Sequence, residues 1–226
     1  MKQKIYNLIV LDASGSMYSI RNEAIAGVVE TIQTIRTASS PSGGVEGAAE
    51  QEQLFSLVVF NGAHISTVFD RIPITKVPDL NERDYQPTDN TPLYDAMGSA
   101  ITHLQRYIDE DDNVLVTIIT DGYENASVEW NHQRINQLVE DLKKKNWLFT
   151  YIGANQDALA VAKGMGIEHS LNFCSSAAGT KAMFEKEKLS RRTLYDKLAG
   201  GISFSKAKSE DYFVDDDPND KDNKTT

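Results

Sequence analysis

The sequence predicts an α/β protein: a doubly wound, mainly parallel central sheet with one antiparallel edge strand and helices on both faces. Two observations carry this expectation. Four short runs, residues 5–11, 54–60, 114–120 and 147–152, are almost continuously apolar, which is how strands covered on both faces read. Between them lie stretches whose apolar residues recur at steps of three and four, the spacing of a helix with one buried stripe. Strands that alternate with helices build a parallel sheet.

Each element has its own signal. Ile20, Ala24, Val28, Ile32 and Ile35 form the first helical stripe. Residues 38–53, "ASSPSGGVEGAAEQEQ", are small and polar and read as a flexible loop before the second strand. "HISTVFDRIPI", residues 64–74, alternates and ends in a turn, as an antiparallel edge strand does. Leu93, Ala96, Met97, Ala100, Ile101, Leu104 and Ile108 form the second helical stripe, and Ile135, Leu138, Val139 and Leu142 the third. Residues 158–162 suggest a short fourth helix, and 177–198 a fifth with a break near Ser190. Residues 1–206 are expected to form one folded domain and 207–226 an acidic, disordered tail.

Composition narrows the function classes. The 226 residues are 40% hydrophobic and 25% charged, close to the soluble globular average. Net charge is −10, and seven acidic residues against two lysines after Ser209 supply half of it. No basic stripe with interleaved aromatics offers a nucleic-acid surface. No apolar run reaches the roughly 20 residues of a membrane span. The first apolar run is too short for a secretory core and ends at Asp12. A single cysteine, Cys174, excludes an internal disulfide framework. The expected location is the cytoplasm.

In an open α/β sheet, ligands bind beyond the carboxyl ends of the strands. The first strand is followed by Asp12-Ala13-Ser14-Gly15-Ser16, and the 114–120 strand by Asp121-Gly122. The loop "QPTDNTPLYDA", residues 86–96, brings Thr91 to the head of the second helical stripe. These loops are expected to converge. They present two carboxylates, Asp12 and Asp121, and three hydroxyls, Ser14, Ser16 and Thr91. All are hard oxygen donors, which suits Mg2+, with Mn2+ or Ca2+ as alternatives, and not zinc.

With these residues in place, the chain resembles the von Willebrand factor type A (vWA) family. "DASGSM" at 12–17 is similar to its Asp-x-Ser-x-Ser element, Thr91 in "NTPLYDA" to its threonine loop, and Asp121 in "IITDG" to its distal aspartate. The likeness runs from about residue 4 to residue 200. It implies a metal-ion-dependent adhesion site (MIDAS) in which Ser14, Ser16 and Thr91 touch the ion, while Asp12 and Asp121 act through water. It implies a protein partner whose Glu or Asp completes the coordination, and a last helix that slides on ligation. Asp89-Asn90 stand where relatives often carry glycines, which puts the shape of that loop in question. The likeness is greatest to stand-alone intracellular bacterial members, which are often linked to ATPase partners.

Plainer roles compete for the same residues. Ser14 or Ser16 suits a helix cap, Thr91-Pro92 a cap and first helical residue, and Asp121-Gly122 a turn. Asn155, Gln156 and Asp157, like Glu124 and Asn125, read as helix starts rather than ligands, with contact to a partner as their alternative role. Tyr18 and Tyr123 would flank the ion. His64, His103, His132 and His169 show no metal spacing, Cys174 reads as a small buried hydrophobe, and Trp130 and Trp147 read as packing residues. Two other functions fit the fold. One is a Mg2+-dependent phosphohydrolase or phosphotransferase with Asp12 as nucleophile, although Ser14 stands where a second aspartate is expected and only Lys163 is near. The other is a scaffold that self-associates through its acidic tail.

Overall fold

The computed structural model describes residues 3–38, 51–154 and 157–213. Among these residues six strands form one sheet: β1 (Gln3–Asp12), β2 (Gln51–Phe60), β3 (Ile65–Pro73), β4 (Asn113–Thr120), β5 (Trp147–Ala154) and β6 (His169–Phe173). Their order is β3-β2-β1-β4-β5-β6. All neighbours pair in parallel except β2 and β3, so β3 is the antiparallel edge that residues 64–74 predict. The helices are α1 (Arg21–Ala38), α2 (Leu93–Gln105), α3 (His132–Lys143), α4 (Ala158–Gly164), α5 (Ala177–Ala199) and the short α6 (Phe204–Ala207).

Side chains alternate across a strand, so each strand feeds two cores. Ile5, Ile9 and Leu11 of β1 pack with α1 and α5 residues such as Val28, Ile32, Phe184 and Leu194. Tyr6, Leu8 and Val10 pack on the other face with Met97, Ile101, Ile135 and Val139 of α2 and α3. The sheet is therefore doubly wound. The chain leaves β1 toward α1 on one face and β4 toward α3 on the other. The topological switch lies between these adjacent strands, where a crevice opens beyond their carboxyl ends.

Four expectations need correction. The polar loop ends earlier than residue 53, because Gln51 and Gln53 already belong to β2 and are buried. Their amides are satisfied: Gln51 donates to the Tyr195 carbonyl, and Gln53 Oε1 accepts from Asn7. The rest of that loop, residues 39–50, lies outside the described residues. Helix α5 runs unbroken through Ser190. No glycine or proline interrupts it there, and the small Ser190 side chain is buried against the domain. Cys174 is exposed, because it sits in the turn after β6 rather than in either core. Glu124 and Asn125 start no helix; they lie in the long connection between β4 and α3.

Packing continues beyond residue 206. Ala207 and Tyr212 are buried, and Tyr212 donates its hydroxyl to Glu187 Oε1 at 3.1 Å. His169 receives the same segment, accepting from the Tyr212 amide at Nδ1, with Nε2 3.3 Å from the Lys208 carbonyl. Residues 214–226, most of the expected tail, lie outside the described residues.

Candidate metal centre

Asp12 is the last residue of β1 and fully buried. Its position is fixed from several directions. The Ser14 amide donates to Oδ1 at 2.6 Å, the Thr120 hydroxyl donates to Oδ2 at 2.6 Å, and Tyr85 donates to the Asp12 carbonyl at 2.7 Å. Burial raises the Asp12 carboxyl from 3.8 to about 6, against the lowering effect of the Thr120 and Ser14 hydrogen bonds, while nearby Asp121 adds a smaller upward push. An isolated buried carboxylate is costly, and a cation beside it would relieve that cost.

After Asp12 the chain enters a tight 3-10 helix, residues Gly15–Ile20. Ser14 occupies the cap position, yet its side chain makes no capping bond. Its hydroxyl instead lies 3.2 Å from that of Ser16. Ser16 in turn donates to Asp121 Oδ1 at 2.5 Å. The Ser14 hydroxyl thus meets Ser16 instead of capping the helix, and the Ser16 hydroxyl reaches the β4 loop.

The third loop is laced to the first. Thr88 donates its amide to the Ala13 carbonyl at 2.8 Å, and Gly15 donates to the Asp89 carbonyl at 2.9 Å. Asp89 adopts φ of 67°, a left-handed conformation that glycine takes freely and Asp tolerates better than most residues. Its carboxylate accepts from the next amide, Asn90, at 2.8 Å. The loop therefore keeps the backbone shape that glycine would give, with an aspartate in the position.

Thr91 is buried and is not a helix cap; Pro92 holds that position, without a side-chain bond. The Thr91 backbone is clamped by Asn125, whose Oδ1 accepts from the Thr91 amide at 2.8 Å and whose amide donates to the Thr91 carbonyl at 3.2 Å. Glu124 accepts from the Tyr94 amide at the start of α2 and from the Ala126 and Ser127 amides. Asp95 binds the amides of Val128, Glu129 and Trp130. The β4 connection is thereby bound to the head of α2.

Gly122 marks the point of convergence. A Cβ there would lie 3.3 Å from Thr91 Oγ1 and 3.7 Å from Ser16 Oγ. Glycine leaves open the space that two candidate ligands face. All five sequence-predicted residues therefore gather at one place: Asp12, Ser14 and Ser16 from the β1 loop, Thr91 from the α2 loop and Asp121 from the β4 loop. Tyr18 in the 3-10 helix is exposed, as are Tyr123 and Val128 in the β4 connection.

Among the described residues, no group of three His, Cys, Asp or Glu side chains comes together to hold a metal. A cation at this site would depend on hydroxyl oxygens for half or more of its protein ligands. The donor set fits Mg2+, which takes one or two carboxylates and keeps waters.

Sequence reasoning missed four contributors. Thr120, Tyr85 and Asn125 hold Asp12 and Thr91 in place, and the Ser175 hydroxyl donates to Asp121 Oδ2 at 3.2 Å. Thr120 was within reach, as a threonine at the end of an apolar strand directly before the distal aspartate. Asp157 does begin α4, accepting from the Ala160 amide. Asn155 and Gln156 lie outside the described residues.

The sheet order and loop arrangement define the vWA fold. Solved structures with this fold are similar to the chain in shape and distant from it in sequence. Proximal thread matrix protein 1 from the mussel byssus superposes with a TM-score of 0.55 at 16% identity, over 81% of this chain and 45% of that one. A von Willebrand factor type A protein from Catenulispora acidiphila gives 0.53 at 12% identity, over 84% and 43%. The SpRpn10 VWA domain gives 0.52 at 12% identity, over 84% of this chain and 95% of that one. The chain thus spans less than half of the first two proteins and nearly all of the third. No family model matches the sequence, and no curated protein does.

Proposed function

We propose that this protein is a divalent-cation-dependent protein-binding module. Mg2+ is the favoured ion, with Mn2+ or Ca2+ as substitutes. Ser14, Ser16 and Thr91 would hold it through their hydroxyl oxygens, and Asp12 and Asp121 through water. One observation carries the reading: Asp12, Ser14, Ser16 and Asp121 are joined in a chain of hydrogen-bond contacts, and Ser16 and Thr91 from separate loops both turn their hydroxyls toward Gly122. Three neutral ligands leave an ion electrophilic, and a site partly shielded from water strengthens its pull on an incoming carboxylate. The partner is a protein that offers Asp or Glu; an ATPase is the class the family resemblance suggests.

The enzyme alternative has less support. Ser14 stands where a second aspartate is expected, and Lys163 lies in the last turn of α4. Self-association through the tail concerns residues that mostly lie outside the described ones.

The test has two stages. Calorimetric titration with Mg2+ and Mn2+ is expected to find one ion, lost in Asp12→Ala and weakened in Thr91→Ala. A displayed peptide library is then bound in Mg2+ and eluted with EDTA; the recovered peptides are expected to share an Asp or Glu. Ion binding that survives Asp12→Ala, or eluted peptides with no common acid, would overturn the reading.

A further inference from the structure

Ser175 lies in the turn between β6 and α5, and nothing in the DASGSM, NTPLYDA or ITDG stretches points to it. Strand β6 pairs with β5 and is separated from β4 by it. The Ser175 hydroxyl nevertheless reaches the distal aspartate at the end of β4, donating to Asp121 Oδ2 at 3.2 Å. The other oxygen, Oδ1, accepts from Ser16. The two hydroxyls therefore hold the two oxygens of Asp121: one is itself a candidate ligand and the other belongs to the turn that leads into α5.

The approach of Ser175 is built into its surroundings. On one side Phe173, the last residue of β6, packs against the core. On the other, Ser176 caps α5, its Oγ accepting from the Gly179 amide at 3.1 Å. The Ser176 amide also donates to the Cys174 carbonyl at 2.8 Å, closing the turn. Gly179 permits that closure, since a Cβ there would stand 2.2 Å from the Cys174 carbonyl oxygen. Further along, α5 is anchored through Arg191, which donates to Asn7 of β1 and Thr117 of β4. A hydroxyl presented from a fixed turn orients its acceptor with little loss of freedom.

Resting on the proposed metal reading, we infer that Ser175 is a positioning residue for the ion. It holds Asp121 in the rotamer that accepts from Ser16, so that the Ser16 oxygen is left facing the ion. Ser175 thereby makes the start of α5 part of the metal centre. Partners of this kind, one step removed from the ion, typically change metal affinity by about 10–100-fold when removed. Linkage is reciprocal: if the α5 turn favours the ion, the ion steadies the turn.

The experiment compares the full chain with Ser175→Ala, Ser175→Thr, Ser176→Ala and Asp12→Ala. Each is titrated with MgCl2 and melted in EDTA, and amide exchange is followed over residues 174–180 with and without Mg2+. Ser175→Ala is expected to bind about tenfold more weakly with unchanged melting in EDTA, and Ser175→Thr to restore affinity. Mg2+ is expected to slow exchange in this turn in the natural chain and not in Ser175→Ala. Ser176→Ala, which removes the helix cap, is expected to lower melting in EDTA while Mg2+ affinity holds. Unchanged affinity in Ser175→Ala, whether or not its melting falls, overturns the inference and leaves the metal reading standing if Asp12→Ala abolishes binding. Absence of Mg2+ binding by the natural chain overturns both.

Discussion

The Thr120 hydroxyl donates to Asp12 Oδ2 across 2.6 Å, joining residues 108 positions apart in sequence at the ends of two adjacent strands. The Gly122 amide donates to the same Thr120 oxygen at 3.1 Å. One hydroxyl thus connects the buried carboxylate to the turn that opens the site. Thr120→Val keeps the side chain's shape and removes its polarity. It is expected to raise the Asp12 carboxyl further, because the bond that Thr120 supplies lowers it. Mg2+ affinity at neutral pH should fall about tenfold, read by calorimetry.

The raised Asp12 carboxyl also sets a pH dependence. Its folded value, about 6 against 3.8, means that the folded chain binds the proton more tightly than the unfolded chain. The folded state without metal is therefore most favoured by this group below pH 3.8 and loses that contribution as pH rises through about 6. The loss approaches ~3 kcal/mol by neutral pH as an upper figure. An ion paired with the carboxylate reverses the trend. Urea unfolding from pH 4.5 to 7.5 should show the site's contribution to stability declining in EDTA, a decline that Mg2+ suppresses and Asp12→Asn removes. Mg2+ affinity should weaken roughly tenfold per pH unit below the Asp12 value, since one proton competes with one ion.

The contact between α1 and α5 depends on one missing methyl group. A Cβ on Gly27 would lie 2.1 Å from Phe184 Cδ2, and Phe184 is buried with little room to turn. Alanine in a helix is ordinarily favoured over glycine by about 1 kcal/mol. Here overpacking, which costs about 1–3 kcal/mol, should win. Gly27→Ala is expected to lower the melting temperature, and Gly27→Ala with Phe184→Leu to recover part of the loss.

How much of this was legible varies by element. Most of the candidate site was legible because Asp12, Ser14, Ser16 and Asp121 follow strands whose apolar runs are unmistakable, so position and chemistry pointed to the same edge. Strand β6 was not, since "HSLNF" is a half-exposed edge with neither alternation nor a continuous apolar run. The Ser175 contact was hidden because either serine of the pair before α5 also reads as a cap, and the actual cap is Ser176. The polar interior was visible but unread. Asn7, Thr117 and Thr150 each interrupt an apolar strand near its middle, and all three are buried. Such residues require partners, and the sequence held one in Glu187 and Arg191, four apart on α5.

Those partners meet in the core. Arg191 is fully buried. Its Nε and Nη2 lie 2.8 and 2.7 Å from Glu187 Oε1, while Nη1 donates to Asn7 Oδ1 at 3.0 Å and Nη2 to Thr117 Oγ1 at 2.9 Å. Tyr195 donates to the same Asn7 oxygen, and Tyr212 to Glu187. Among the described residues Glu187 Oε2 has no hydrogen-bond partner, and Arg191 is the cation that balances the Glu187 charge. Arg191→Met should cost about 3–5 kcal/mol, because it strands a buried carboxylate. Arg191→Met with Glu187→Leu removes both charges and should be more stable than Arg191→Met alone, even though Asn7 and Thr117 each lose a bond. Urea unfolding of both variants and of Glu187→Leu completes the cycle. The same network bears on helix movement. A one-turn shift of α5, about 5.4 Å, would withdraw Arg191 from both strands at once. Distances between spin labels on α5 and β1 should therefore stay constant on adding Mg2+, and a one-turn displacement in the natural chain would mean that the network is not what holds α5 in register.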